Sequence, residues 1–113
     1  KKKIIYQGNK KNIREYINVK DASKLALKTI NKKYINKYVK ISGKEKTSVI
    51  KALTVIKKEM GLTSKIIYQK KKDVGHYINF PDNLVVKKAK KINSRQYISF
   101  AKGIREIIKS KTK

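Results

Sequence analysis

Residues 14–21 read Arg-Glu-Tyr-Ile-Asn-Val-Lys-Asp, and the rest of the chain is organised around them. Their alternation is typical of a short half-buried strand, in which Ile17 and Val19 point inward. Asp21 then ends the strand and caps a helix, because its carboxylate can accept hydrogen bonds from the free N–H groups of the first turn. An arginine on a strand that leads into a helix N-terminus can hold an anion. Taken alone, however, the same junction is more often a purely structural element.

The remaining pattern predicts an α/β chain, built as one small α+β lobe with short strands and about three helices. Strands are predicted at residues 3–7, 13–19, 38–41 and 65–68, the first two as a hairpin-like pair. Helices are predicted at residues 21–31, 49–60, 84–89 and from 100 onward. Thr47 or Ser48 caps the second of these helices and Gly61 ends it, while Ser99 caps the last. The tail from Ser110 is expected to fray.

Length and composition exclude several classes of protein. The 113 residues fit a single domain, and we treat residues 1–113 as one unit. With no cysteine, the chain has no disulfides, no Cys-based zinc site and no thiol catalysis. No apolar run approaches the length that spans a bilayer, and no signal-peptide pattern opens the sequence, so we expect a cytoplasmic protein without a membrane partner.

Charge is the most extreme feature of the composition, with 32 Lys and Arg against 7 Asp and Glu and a net charge of +25. Such a balance is typical of proteins that bind nucleic acids or anionic membranes. However, the arginines are limited to Arg14, Arg95 and Arg105, and the lysines are spread along the whole chain. Guanine and phosphate recognition favours arginine. The pattern therefore favours a solvated surface with weak, non-specific polyanion binding.

Four segments resemble, in order, landmarks of the extended short-chain dehydrogenase/reductase family, the nucleotide-sugar epimerases and dehydratases. The first resembles the family pattern Arg-(Asp/Glu)-(Tyr/Phe)-(Ile/Val)-x-Val-x-Asp, and the second its Tyr-Asn-(Ile/Leu)-Gly strand. The third resembles the Arg-x-x-Asp segment that closes over the nucleotide sugar, and the fourth the start of the final helix. These segments are residues 14–21, 38–43, 70–77 and 99–106.

The resemblance implies that the chain is the C-terminal, substrate-binding lobe of such an isomerase or lyase. The N-terminal Rossmann domain, which holds NAD and the catalytic Tyr-x-x-x-Lys pair in that family, is absent from this sequence. No glycine-rich dinucleotide fingerprint occurs here. Tyr68 and Lys72 match Tyr-x-x-x-Lys, but this is an expected coincidence in a chain so rich in lysine. The lobe is thus expected to bind no cofactor and to be non-catalytic on its own.

Substrate-binding residues are implied by the same resemblance. Arg14 and Tyr16 would line the nucleotide diphosphate, where a guanidinium matches the charge and geometry of phosphate oxygens. Lys70 and Asp73 would contact the other side of the phosphates and the ribose, with Tyr77 nearby. Lysine in place of the family's arginine at position 70 keeps the positive charge but loses the bidentate hydrogen bonding of a guanidinium.

Two further residues are candidates for the same pocket. Lys40 occupies the position where many members of the family have asparagine, which indicates a different sugar or a decayed site. His76, the single histidine, is either a hydrogen-bonded structural residue or part of a Gly-His-Tyr segment that closes the pocket. No metal site is predicted, since no second histidine and no carboxylate cluster accompany it.

The alternative is a small basic nucleic-acid-binding protein. The first two predicted helices are separated by a strand, so no helix-turn-helix is visible. No aromatic RNA-recognition motif occurs either.

Overall fold

The computed structural model describes residues 2–70 and 88–112. They form a small α+β structure with three helices, a short 3₁₀ helix at Lys32–Tyr34, and short strands in small sheets. The helices are α1 Val19–Lys28, α2 Val49–Glu59 and α3 Phe100–Lys111. The strands are β1 Ile5–Gln7, β2 Ile13–Tyr16, β3 Val39–Ile41, β4 Glu45–Ser48, β5 Ile67–Gln69 and β6 Lys90–Ile92.

The strands pair in three two-stranded sheets within the described residues. β1 runs parallel to β5, β3 runs parallel to β6, and β2 runs antiparallel to β4. The predicted hairpin-like pair of β1 and β2 is therefore wrong. The reason is that the backbone of β1 bonds to β5: the N–H of Ile67 donates to the carbonyl of Ile4 at 3.0 Å, and that of Gly8 to the carbonyl of Gln69 at 3.1 Å.

The first helix begins earlier than the sequence predicts. Its cap is Asn18, whose side chain accepts a hydrogen bond from the N–H of Lys20, and Val19 is already helical. Val19 is 75% exposed, so the prediction that it points inward is wrong. Asp21 is not the cap. It is buried, and its carboxylate accepts a 2.7 Å hydrogen bond from the backbone N–H of Ile98.

The caps of the other two helices confirm the predictions. Ser48 caps α2, and Gly61 follows its C-terminal end with a φ of +64°, a conformation that favours glycine. Ser99 caps α3 and accepts a hydrogen bond from the N–H of Lys102 at 3.2 Å. The α3 helix continues through Ser110, where the sequence predicts fraying.

Strands β4 and β6 were not predicted, because neither combines β-branched residues with clear alternation. Most of the helix predicted at residues 84–89 lies outside the described residues. Its last two positions, Lys88 and Ala89, are not helical.

The core of the described residues is small. Its buried apolar side chains are Leu25 on α1, Val49 and Ala52 on α2, and Ile92 on β6. Two-stranded sheets are marginal by themselves and become stable when a further layer covers them. In the described part of the chain, the helices provide that further layer for the three sheets.

Candidate functional site

A groove of about 530 Å³ lies where β1 and β2 meet the two helices α2 and α3. We call it the Arg14 groove. The strands and the turn between them contribute the polar side, formed by Tyr6, Gln7, Asn12, Arg14 and Tyr16. The helices contribute the apolar side, formed by Val49, Ala52, Leu53, Ile56, Phe100 and Ile104. The groove thus combines a hydrophobic wall with a small number of polar groups, as ligand pockets usually do.

Arg14 is the single charged residue among the described residues that line this groove. It lies on β2 opposite Thr47 of β4, and its position two residues before Tyr16 puts both side chains on the same face. Arg14 is half-buried, and its Nη1 donates to the carbonyl oxygen of Ile13 at 2.9 Å.

Tyr16 packs against the first residue of α3. Its ring centroid lies 4.8 Å from that of Phe100, with the two planes tilted by 44°. This distance is within the range of favourable aromatic pairs. Because Ser99 fixes the start of α3, the contact places Tyr16 at a defined point between the strand and the helix.

An ion pair joins α2 and α3, the two helices that form the apolar side of the groove. Arg105 on α3 donates to Glu59 on α2 through two bonds, Nε to Oε2 at 2.8 Å and Nη2 to Oε1 at 2.9 Å. The hydrogen bond from Arg105 lowers the pKa of the Glu59 carboxyl below its usual value, against a smaller opposing effect of desolvation. The two helices that form the apolar wall are therefore also joined at their surface.

The strand that precedes Lys70 lies beside the Arg14 groove. In the β1–β5 pair, Gln69 stands opposite Gln7, a groove residue, and the two side chains share a hydrogen bond of 3.0 Å. Lys70 directly follows Gln69 and is exposed. The structure therefore brings the start of the 70–77 segment to the β1 side of the groove, although more than fifty residues separate it from Arg14 in sequence.

The other predicted site residues are not brought together with Arg14 by the described part of the structure. Lys40 lies half-buried on β3, opposite Lys91 of β6, and is not among the residues that line the Arg14 groove. Asp73, His76 and Tyr77 lie outside the described residues.

Sequence reasoning missed three residues on the polar side of the groove, Tyr6, Gln7 and Asn12, and did not assign the apolar wall to the site. Alternation along β1 predicts that Tyr6 and Gln7 point to opposite faces of the strand, so it gives no sign that both line one groove. Asn12 is 2% exposed, and its carbonyl accepts a hydrogen bond from the N–H of Val49 at 2.8 Å. It joins the start of β2 to the start of α2, a contact for which the sequence carries no local signal.

Comparisons with known proteins return no relative: the chain matches no family model, no curated protein and no solved structure. Within residues 2–70 and 88–112, no three His, Cys, Asp or Glu side chains are grouped so that they could hold a metal ion. None of the helices in this described part has the length and apolar character needed to cross a membrane.

Proposed function

We propose that this chain is the nucleotide-sugar-binding portion of an NAD-dependent epimerase or dehydratase. In this proposal the chain binds and orients the substrate, while a separate cofactor lobe supplies NAD and the groups that transfer protons and hydride. The observation that carries the proposal is the shared position of Arg14 and Tyr16 on one groove, because these are the two residues that the family resemblance assigns to the diphosphate.

The chemistry of the Arg14 groove supports a ligand with an anionic centre and less polar ends. A half-buried guanidinium attracts a diphosphate by charge and by its fork of donors. The aromatic rings of Tyr6, Tyr16 and Phe100 line the same groove and offer flat surfaces for the less polar parts of a ligand. Lys70 adds a second positive charge next to the β1 wall, and it begins the segment that the resemblance assigns to closing over the nucleotide sugar.

The small core supports the other half of the proposal. With four buried apolar side chains and three two-stranded sheets in its described part, the lobe gains stability by packing against a larger domain. This is the relationship expected between a substrate lobe and a cofactor lobe.

The test is a titration of the chain with UDP-glucose, dTDP-glucose and GDP-mannose, followed by backbone amide NMR shifts. We expect the shifts to concentrate on β1, β2 and the start of α3. Replacing Arg14 by Ala should weaken binding by about 1.5–3 kcal/mol, the usual contribution of a hydrogen bond to a charged group.

The matched control is Arg95→Ala, which removes one positive charge from an exposed position outside the Arg14 groove. Binding should be unchanged in this variant. If both variants lose the same affinity, the ligand responds only to net charge and the proposal is wrong. It is also wrong if inorganic pyrophosphate produces the same shifts at the same concentrations as the three sugar nucleotides.

A further inference from the structure

A second groove, of about 630 Å³, lies at the C-terminal end of α1. We call it the Leu27 groove. Its apolar side chains are Leu27 from the end of α1, Ile30 just after that helix, Tyr34 from the 3₁₀ helix, and Ile92 from β6. None of the residues that line it also lines the Arg14 groove. The two grooves are therefore separate sites on the chain.

Two large aliphatic side chains stand open to solvent at this groove. Leu27 is 67% exposed and Ile30 is 77% exposed, while Ile92 on β6 is only 5% exposed. Single exposed apolar residues are ordinary, but neighbouring ones beside a concavity mark a surface that a partner covers. Ile92 then forms the floor of the groove, and Leu27 and Ile30 form its open wall.

The charged residues that line this groove are all lysines. Lys28, Lys33 and Lys91 line it, and no acidic side chain does so within the described residues. The surrounding sequence extends the same bias, since residues 22–44 contain seven lysines and neither Asp nor Glu. Lys33 also lies over the ring of Tyr34, with its Nζ 5.0 Å from the centroid. A partner at this place must therefore bring negative charge together with its apolar groups.

We propose that the Leu27 groove docks a helical protein segment that carries leucine-like side chains on one face and Asp or Glu along its flanks. The concave shape favours the insertion of side chains over contact with a flat bilayer surface, and the lysines complement acidic flanks. This docking is independent of the nucleotide-sugar proposal, because the two grooves share no lining residue.

The probe is a synthetic helical peptide of about 18 residues, five turns, with leucine on one face and glutamate on the other. Fluorescence anisotropy measures its affinity for the chain. The double variant L27S/I30S keeps the net charge and should weaken binding by about tenfold or more, because the inserted leucines lose their apolar contacts. Both replaced side chains are exposed, so the circular dichroism spectrum should be unchanged.

The matched control is V19S/I107S, which removes two apolar side chains of similar exposure, 75% and 57%, from another surface. It should bind the peptide as the unmodified chain does. The charge variant K28E/K33E should weaken binding and reduce its dependence on salt.

Three results would overturn the proposal. The first is an equal loss of peptide affinity in L27S/I30S and V19S/I107S, which would mean that the peptide binds exposed apolar side chains non-specifically. The second is equal binding of a glutamate-rich peptide without the leucine face, which would mean attraction by charge alone. The third is binding to phosphatidylserine vesicles that L27S/I30S abolishes while the peptide does not bind, which would identify a membrane as the partner.

Discussion

Asp21 on α1 accepts a hydrogen bond from the backbone N–H of Ile98, with 2.7 Å between Oδ2 and the nitrogen. The two residues are 77 positions apart in sequence, and Asp21 is 3% exposed. The bond ties the first helix to the segment that leads into α3. Ser99, which caps α3, follows Ile98 directly, so the same contact fixes the place where Phe100 meets Tyr16.

Replacing Asp21 by Ala should therefore destabilise the chain. The N–H of Ile98 would be left in a half-buried position without its acceptor, which costs about 1–3 kcal/mol. Urea unfolding followed by circular dichroism measures the change. The comparison is Ser23→Ala at an exposed position of the same helix, which should have little effect. An equal effect of the two substitutions would show that the Asp21 bond does not contribute to stability.

Gly43 should tolerate no side chain. A methyl group added to it would collide with the carbonyl oxygen of Tyr16, which belongs to the backbone of β2 and cannot move aside freely. Gly43→Ala should destabilise the chain by about 1–3 kcal/mol or more, the usual effect of overpacking. Thermal unfolding measures it.

The control for that prediction is Gly61→Ala. Gly61 has a φ of +64° but nothing within 4 Å of an added Cβ, so the substitution introduces backbone strain without a collision. It should cost about 1–2 kcal/mol. A Gly43 variant as stable as the unmodified chain would mean that β2 and the connection between β3 and β4 can separate without loss of stability.

The Glu59–Arg105 pair should contribute to stability in a pH-dependent way. Arg105 lowers the pKa of Glu59 below its usual value of 4.5 in the folded state. A carboxyl with a depressed folded-state pKa stabilises the fold above its unfolded pKa, and this contribution is lost as the pH falls through the lowered value. Arg105 is exposed and Glu59 is half-buried, so solvent and salt screen the pair and the effect is modest.

Urea unfolding of the unmodified chain and of Glu59→Gln, measured from about pH 3 to about pH 7, tests this prediction. The two stabilities should differ near neutral pH and converge in acid. Arg105→Lys serves as the control, since it keeps the charge but replaces the planar bidentate guanidinium by an ammonium group that lacks that geometry. A difference between the unmodified chain and Glu59→Gln that stays constant down to the lowest pH would contradict the assignment.

The net charge of +25 should produce nucleic-acid binding that depends on salt and not on sequence. Association releases counterions from the phosphate backbone, and this needs no designed site. Anisotropy of labelled DNA duplexes at about 50 mM and about 200 mM salt should show affinity that largely disappears at the higher concentration. A complex with one preferred sequence that survives at about 200 mM salt would instead support the nucleic-acid-binding alternative.

The sequence alone determined the local features of this protein. Ser48 and Ser99 are predicted helix caps and occupy those positions, and Gly61 follows the end of α2 as predicted. These signals succeed because a cap satisfies N–H groups within its own first turn, and a glycine adopts positive φ without help from distant residues. The small α+β composition follows from the same local patterns.

Only the tertiary structure decided which strands pair and which side chains share a groove. β1 pairs with β5 and not with its neighbour β2, so Gln7 meets Gln69, and Asp21 bonds Ile98 where a helix cap was expected. Each of these choices depends on a partner more than sixty residues away. Strand pairing and buried hydrogen bonds are selected by the packing of the whole lobe, and periodicity within a short window carries no information about that partner.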